Sequence, residues 1–469
     1  MNSAHSKSVL LINPPLVKSS TNVWRHIDSC TPPFGLAILA AILLEQGISV
    51  KILDCNALGI PLDMMERSLP TGTYDIVGIT ASTALFHNAQ QVAAICRKQY
   101  PAATIIMGGV HPTVRPDECL ECPSIDLVVR GEGERSFLKL ARGAEPASVS
   151  GVSYRSDGTV IHTDADMRPV DIDENPLPAY QLLPMNRYHT ALGSSRRLPG
   201  IGLVVSRGCP GRCTYCYGHF LGRKVRFRDP RIIFNEIQLL MSNYGIREVA
   251  FYDDTFTTYR KKVRSLCRLL IDSRTDLSWS CFSRVDTVDL DTLRIMRAAG
   301  CHQISVGVES GSEMILDNIN KDIDLSRTVR MVSECRKVGI MVRACFMLGN
   351  PGETPETIRQ TIDFAKQLNP DIVLFNITTP YPGTRMFDWA DSNGYLTTYD
   401  WRDYDLSKVV MELPSVNKEH LECAYKRAYR EFYLRPAYLW KRLLKIRSLA
   451  DIKMNWNGLQ AVFKTGRKS

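Results

Sequence analysis

The sequence predicts an α/β protein built from two successive strand–helix regions and a basic, helical C-terminal extension. Three observations carry this. Short β-branched runs alternate with helical patterns over residues 1–145, the alternation recurs six times between 197 and 400, and the charge changes abruptly near the end. With 469 residues, 44% hydrophobic and 23% charged, the chain has material for two to three folded units. Its formal charge of +9 is uneven: residues 425–469 hold twelve Lys/Arg and two acids, leaving the rest near neutral. A chain-wide nucleic-acid footprint is thereby excluded.

In the first region SVLLIN (8–13) reads as a strand, GLAILAAILLEQG (35–47) as a buried helix and ISVKILD (48–54) as the next strand. YDIVGIT (74–80), the helix FHNAQQVAAICRKQY (86–100), ATIIMGG (103–109) and IDLVVRGEGE (125–134) continue the pattern. Apolar strands alternating with helices predict an open parallel sheet covered on both faces. Ligands of such sheets bind at the strands' carboxyl ends. Those ends carry Thr80, Ser82, Gly108, Gly109, His111, Gly131, Gly133 and Glu134, candidates for a site where glycines let a bulky ligand approach the backbone. No GxGxxG follows the first strand, so a dinucleotide is not indicated. Residues 146–196 read as a connector containing a small hairpin around Asp157–Gly158.

The second region opens on IGLVVS (201–206), followed by GCPGRCTYCYGHF, which spaces Cys209, Cys213 and Cys216 as C-x3-C-x2-C. Three thiolates in one loop can hold three irons of a cubane and leave the fourth open to an exogenous ligand. A structural zinc site would need a fourth ligand, for which His219 is near in sequence. Strands are expected at 247–254, 277–284, 302–310, 340–348 and 371–378, with helices such as 231–245 and 290–300 between them. Six repeats with polar strand ends are what a barrel with its site on the carboxyl face would show.

The cysteine loop, with Tyr215 just before its third cysteine, is identified as belonging to the radical S-adenosylmethionine (SAM) superfamily. The arrangement NPP…PPFGLAILAAILLEQG…VKILD…DIVGIT…IIMGGVHPT…DLVVRGEGE resembles the cobalamin-binding domain that precedes many of its members. The resemblance implies a Rossmann-like cobalamin-binding domain (1–145), a linker (146–196), a partial (β/α)6 barrel carrying a [4Fe–4S] cluster (197–400) and a helical extension (401–469). It also implies SAM contacts from Tyr215, Asp253, Asp254, Ser283, Arg284, Glu309 and Arg343, with Arg284 as a cation for the methionine carboxylate. The Gly-Gly-Glu motif common in the superfamily is absent after the second barrel strand, where Asp253 and Asp254 stand instead. No histidine has Asp two positions before it, so the Asp-x-His-x-x-Gly element that supplies a lower axial ligand is missing. His111 is then expected as a loop residue near the corrin.

The function these likenesses imply is reductive cleavage of SAM, with methylation of an unreactive carbon or phosphorus centre of a secondary metabolite, lipid or pigment precursor. The alternative is a cyclase or other redox reaction without methyl transfer, as in the magnesium-protoporphyrin ester cyclase branch. Expected partners are a small-molecule substrate and an electron donor such as flavodoxin or ferredoxin. The longest uncharged apolar stretch, 32–44, is short of the ~20 residues that span a membrane. MNSAHSKSVLLINPP also lacks a signal-peptide core, so a cytoplasmic protein with reduced thiols is expected. The tail interleaves bases with Tyr429, Phe432, Tyr433, Trp440, Leu443 and Leu444 at helical spacing. Two readings stand for it: a helix packed on the barrel, or contact with the inner face of a membrane.

Overall fold

The computed structural model describes residues 7–16, 29–166, 168–191 and 195–443. Five strands, β1 (Ser8–Asn13), β2 (Ser49–Asp54), β3 (Ile76–Thr80), β4 (Thr104–Gly108) and β5 (Leu127–Val129), form a parallel sheet in the order β2-β1-β3-β4-β5. Alternation along β1 shows why both faces are covered. Val9 and Leu11 pack under helix α1 (Phe34–Glu45), while Leu10 and Ile12 pack with Ala89 and Val92 of helix α2 (Phe86–Gln99). Strand order reverses between β1 and β3, the place where open sheets leave a crevice.

The hairpin expected in the connector belongs to this sheet. Strands β6 (Val152–Ser156) and β7 (Thr159–His162) add antiparallel to β5, and Asp157 and Gly158 take φ values of 50° and 77° in the turn. The N-terminal sheet therefore runs to residue 162 and not to 145. Helix α3 (Gly133–Ala141) covers it beside α1.

Six further strands form a second, wholly parallel sheet in sequence order. They are β8 (Gly200–Leu203), β9 (Glu248–Phe251), β10 (Ser278–Ser283), β11 (Cys301–Glu309), β12 (Met341–Leu348) and β13 (Ile372–Ile377). Alternate residues (Ile201, Val249, Trp279, Ile304, Val342, Val373) turn outward into the core beneath the helices. The intervening positions, including Gly202, Ala250, Ser305, Gly307, Arg343 and Cys345, line the inner face. The open barrel agrees with the expected repeats to within a few residues at each strand.

The barrel's free edge, β13, is closed by helix α4 (Lys418–Tyr433). Tyr429 and Tyr433 lie one turn apart; the Tyr429 hydroxyl accepts from the Phe375 N–H (3.0 Å) and donates to its carbonyl (2.8 Å). Tyr433 does the same at Val373 (3.0 and 2.7 Å). An edge strand's spare groups are thereby paired. Tyr429→Phe leaves a buried N–H and carbonyl unpaired and is expected to cost roughly 1–3 kcal/mol, read as a lowered urea midpoint.

Between the barrel and α4, Trp401, Tyr404 and Val410 pack against the N-terminal sheet. The two regions are also joined by charge. Arg207 pairs with Glu132 (2.7 Å) and Glu134 (2.5 Å), and Arg226 with Glu132 (2.9 Å). No helix among the described residues is long and apolar enough to cross a membrane.

Candidate active site

Cys209, Cys213 and Cys216 sit on a loop past β8 whose neck is a two-residue antiparallel ladder between Ser206–Arg207 and Arg226–Phe227. The Cys209 N–H closes the neck on the Gly222 carbonyl (3.2 Å). Thr214 fastens the tip by donating to the Ile319 carbonyl and accepting from the Met386 N–H, both at 2.9 Å.

The thiols converge around two glycines. A Cβ on Gly211 would lie 3.4 Å from the Cys209 sulfur and 3.8 Å from that of Cys213. One on Gly218 would lie 3.2 Å from the Cys216 sulfur. Glycines at these two positions leave room beside the sulfurs, which suits a loop that wraps a cluster with one iron left open. Burial pushes the Cys216 thiol up to about 11, aided by the neighbouring thiols and Asp254, so iron must displace a proton to bind there.

Around this loop stand several of the residues expected to meet SAM. Tyr215 donates to the Glu309 carboxylate (3.0 Å), and Asp254 has Oδ2 3.7 Å from the Cβ position of Gly218. Arg284 brings Nη1 within 3.4 Å of the Cβ position of Gly211. Arg343 lies deeper on the inner face, near Tyr252 and Cys345, where burial pulls its guanidinium below the usual range. Glu309 has φ +66°, an unusual region for a residue other than glycine.

Sequence reasoning missed the third partner of this group. Lys321 is buried, and its ammonium donates to Glu309 Oε1 (2.7 Å) and to the Tyr215 hydroxyl (3.1 Å). Burial opposes its charge, but Glu309 and the nearby Cys213 outweigh that and hold its pKa above the usual lysine value. Its position twelve residues past Glu309, in a turn following a short helix, matches no spacing that the barrel pattern supplies.

Two expected contacts have other work. Asp253 is buried and accepts from the Val205 N–H (2.9 Å) and the Ser206 hydroxyl (2.6 Å), tying the strand end to the loop neck. Ser283 is buried in a hydroxyl cluster with Thr257 (2.5 Å) and Thr287 (3.2 Å). Both brace the barrel mouth, and the second Asp253 oxygen, Oδ2, is buried without a hydrogen-bond partner.

The turn GNPGET (349–354), directly after β12, is a comparable device: Glu353 is fully buried and accepts from the N–H groups of Gly349 and Asn350. Burial pushes its carboxyl up to about 7, as it does for Asp253. Each group binds its proton more tightly in the folded chain than unfolded, so between about pH 4 and 7 stability falls as pH rises, by at most about 1.4 kcal/mol per unit for each group. Glu353→Gln should remove its share, read as a smaller loss of urea midpoint between pH 5 and pH 7.5.

Over the N-terminal sheet lies a cavity of about 810 Å³, lined by Asn13 and Pro15 after β1, Thr80 and Ser82 after β3, Gly109, and Thr31 and His189 from the flanking segments. A slot of about 150 Å³ runs from it beside the sheet, past Gly78, Gly108, Gly131, Gly133, Glu134 and Phe137. Gly109 is required where it stands: φ is +110°, and a Cβ would be 2.6 Å from the Ala81 carbonyl oxygen. The crevice with a side slot, floored by backbone, fits a large flat ligand with an appendage.

His111 and Glu134 differ from expectation. His111 is fully buried, tilted against Phe86 (4.1 Å between centroids) and edge-on to Trp401 (5.6 Å), with Glu118 3.6 Å from Nε2. It is a packing residue away from the cavity lining. Glu134 lines the slot, but its carboxylate is held by Arg207.

Residues 203–365 match the family described as Radical SAM superfamily, and 22–141 the one described as B12 binding domain. An uncharacterized methyltransferase of Pyrococcus horikoshii is 35% identical over 93% of this chain and 95% of its own. The chain belongs to the cobalamin-binding radical SAM family. The anaerobic magnesium-protoporphyrin IX monomethyl ester cyclase of Rubrivivax gelatinosus is 28% identical over 87% of this chain and 75% of its own. A cytidylyl-2-hydroxyethylphosphonate methyltransferase of Streptomyces wedmorensis is 28% identical over 83% of both. The cobalamin-dependent SAM radical enzyme OxsB, solved with aqua-cobalamin and SAM, shares the fold with a TM-score of 0.74 at 18% identity, covering 98% of this chain and 72% of its own. The cofactors of a radical SAM domain joined to a B12-binding domain are a [4Fe–4S] cluster, SAM and cobalamin.

Proposed function

We propose that this chain methylates an unreactive carbon or phosphorus centre of a small molecule, with Cys209, Cys213 and Cys216 holding the cluster. When bound, the cluster supplies the electron that cleaves SAM to methionine and a 5′-deoxyadenosyl radical, and cobalamin carries the methyl group. The likeness to the Pyrococcus horikoshii methyltransferase supports methyl transfer, and the geometry is compatible with it, because the cavity and the barrel interior meet. Thr31, which lines the cavity, has Cγ2 3.1 Å from the Cβ position of Gly202 on the barrel's inner face. On that same inner face Tyr252 sits 2.5 Å from the Gly202 Cβ position. A substrate held in the barrel would border both cofactors.

The chain's own residues have separable tasks in this scheme. The glycines of the loop leave room for the cluster, Tyr215 and Glu309 orient SAM beside it, and the Asp253 tie keeps the neck closed. The Glu132–Glu134–Arg207–Arg226 network fixes the slot relative to the cysteine loop. An external one-electron donor of the flavodoxin or ferredoxin kind would reduce the cluster.

The test is a product analysis on protein reconstituted anaerobically with iron, sulfide, cobalamin, SAM and reductant, given cell extract as the source of substrate. Methyl transfer is expected to yield 5′-deoxyadenosine together with S-adenosylhomocysteine. Deoxyadenosine alone would transfer the reading to the cyclase-like alternative, which the likeness to the Rubrivivax enzyme favours.

The tail is part of the proposal in a narrower form. Tyr429 and Phe432 are buried against the barrel, so the membrane reading does not hold for α4. Trp440 and Leu443 are exposed, at 66% and 59%, and Leu444 with the remainder of 444–469 lies outside the described residues. Contact with an anionic lipid surface would rest on 440–469, and salt-insensitive or unchanged vesicle binding after deleting that segment would refute it.

A further inference from the structure

Besides the ion pairs of Arg207 and Arg226, the N-terminal unit and the cysteine loop share a second joint. It is the turn PYPGT (380–384), which follows β13 and runs into Met386 and Phe387. On one side the turn holds the loop. The Arg385 guanidinium donates to the Arg212 carbonyl, the Met386 N–H donates to the Thr214 carbonyl (2.9 Å), and the Tyr217 ring lies 3.1 Å from the Cβ position of Gly383. These contacts fall on either side of Cys213 and directly after Cys216. On the other side the turn meets the short helix Val110–Val114. Val114 Cγ1 is 2.6 Å from the same Cβ position, and the Arg115 guanidinium lies 5.1 Å from the centre of the Phe387 ring.

The helix reaches from this joint to the cavity. Gly109 and Val110, at its start, line the cavity. Gly131, in the slot, donates its N–H to the Thr113 hydroxyl (3.0 Å), which in turn donates to the Gly109 carbonyl (2.8 Å). Five residues make about 7 Å of helix, too short to hold its shape without packing at both ends. Gly383 has φ +82°, and a side chain there would drive into Val114 first and Tyr217 next. Its bare face lets the two units close to contact. Resting on the proposed methyl-transfer reading, we infer that the Val114–Gly383–Tyr217 contact sets the distance between the cobalamin cavity and the cysteine loop, with Gly383 as the positioning residue. Methyl transfer needs cobalamin, SAM and substrate within reach of one another, whereas SAM cleavage needs only the cluster and SAM. The contact therefore acts on the first and not on the second.

The experiment widens the contact from either side. Gly383→Ala and Val114→Leu are compared with the wild type and with the double variant Gly383→Ala/Val114→Ala, all reconstituted with cluster and cobalamin. Clearing a methyl group at 383 requires Val114 to retreat by about 1 Å, and a displacement of that size at a reaction centre costs up to about a hundredfold. S-adenosylhomocysteine formation is expected to fall on that scale in both single variants, while deoxyadenosine forms at the wild-type rate. A second readout is independent of turnover: the paramagnetic relaxation that the reduced cluster imposes on the cob(II)alamin signal, which falls steeply with the separation of the two centres. It should weaken in both single variants and recover in the double variant, where the smaller side chain at 114 makes room for the new methyl group. Val114→Leu leaves the left-handed backbone of Gly383 untouched, so it carries the test if Gly383→Ala does not fold. Unchanged relaxation in the single variants, or equal loss of the two products, overturns the positioning role while the methyl-transfer reading stands. Wild-type protein that forms deoxyadenosine without S-adenosylhomocysteine overturns the methyl-transfer reading, and the relaxation still decides the spacing.

Discussion

Cys213→Ala is expected to abolish 5′-deoxyadenosine formation. The variant should also fail to show the spectrum of a [4Fe–4S] cluster after anaerobic reconstitution. The loop offers three thiols, and loss of one leaves two iron corners without protein ligands. The loop has no spare thiol: residues 209–222 contain only these three cysteines. The fold itself should survive, because the tip is fastened through the backbone of Thr214 to Ile319 and Met386 and the neck through Cys209 and Gly222. A melting temperature like that of the equally apo wild type, with no deoxyadenosine, is the expected pair of results. Deoxyadenosine production by Cys213→Ala would refute the ligand assignment.

Most of the architecture was legible because its elements follow from local pattern. The strands of both sheets are short apolar runs between turn residues, and helix stops such as Gly245 and Gly339 take left-handed conformations. The hairpin at 152–162 was visible as a hairpin, but not as part of the N-terminal sheet. Its partner β5 has three residues, Leu127–Val129, too few to announce a free edge.

The cysteine loop was legible because one short segment contains all three ligands. The rest of the site is assembled across long separations, and there the sequence misled. His111 ends a glycine-rich strand turn, yet Trp401, from 290 residues away, packs on it and makes it core. Arg284 ends a strand and pairs with Asp286 two residues on, while its Nη1 stands beside the cysteine loop. Lys321 had no motif to mark it; only tertiary packing brings it to Glu309. The tail's aromatics were read for their helical spacing, which cannot distinguish a membrane from the edge of a neighbouring strand. Tyr429 and Tyr433 chose the strand because β13 had unpaired backbone to offer.

Gly133→Leu is expected to separate SAM cleavage from methyl transfer. Gly133 lines the slot, and a Cβ there would meet Val129 at 3.7 Å and Leu39 at 4.0 Å, ordinary contact distances that demand no backbone shift. It opens α3 as its first residue, where leucine is compatible with the helix. The isobutyl group would therefore enter the slot of about 150 Å³ without unfolding the domain. A ligand appendage seated there would be displaced, and cobalamin retention after reconstitution should fall at least tenfold, the scale of losing one buried side chain's worth of contact. The cysteine loop lies on the other sheet, joined to this one by Arg207 and Arg226, whose partners Glu132 and Glu134 keep their positions. Deoxyadenosine should still form while S-adenosylhomocysteine disappears. If both products persisted with cobalamin bound, the slot would not be where the appendage sits; if both vanished, the two cofactor sites would be coupled through that ion-pair network and not independent.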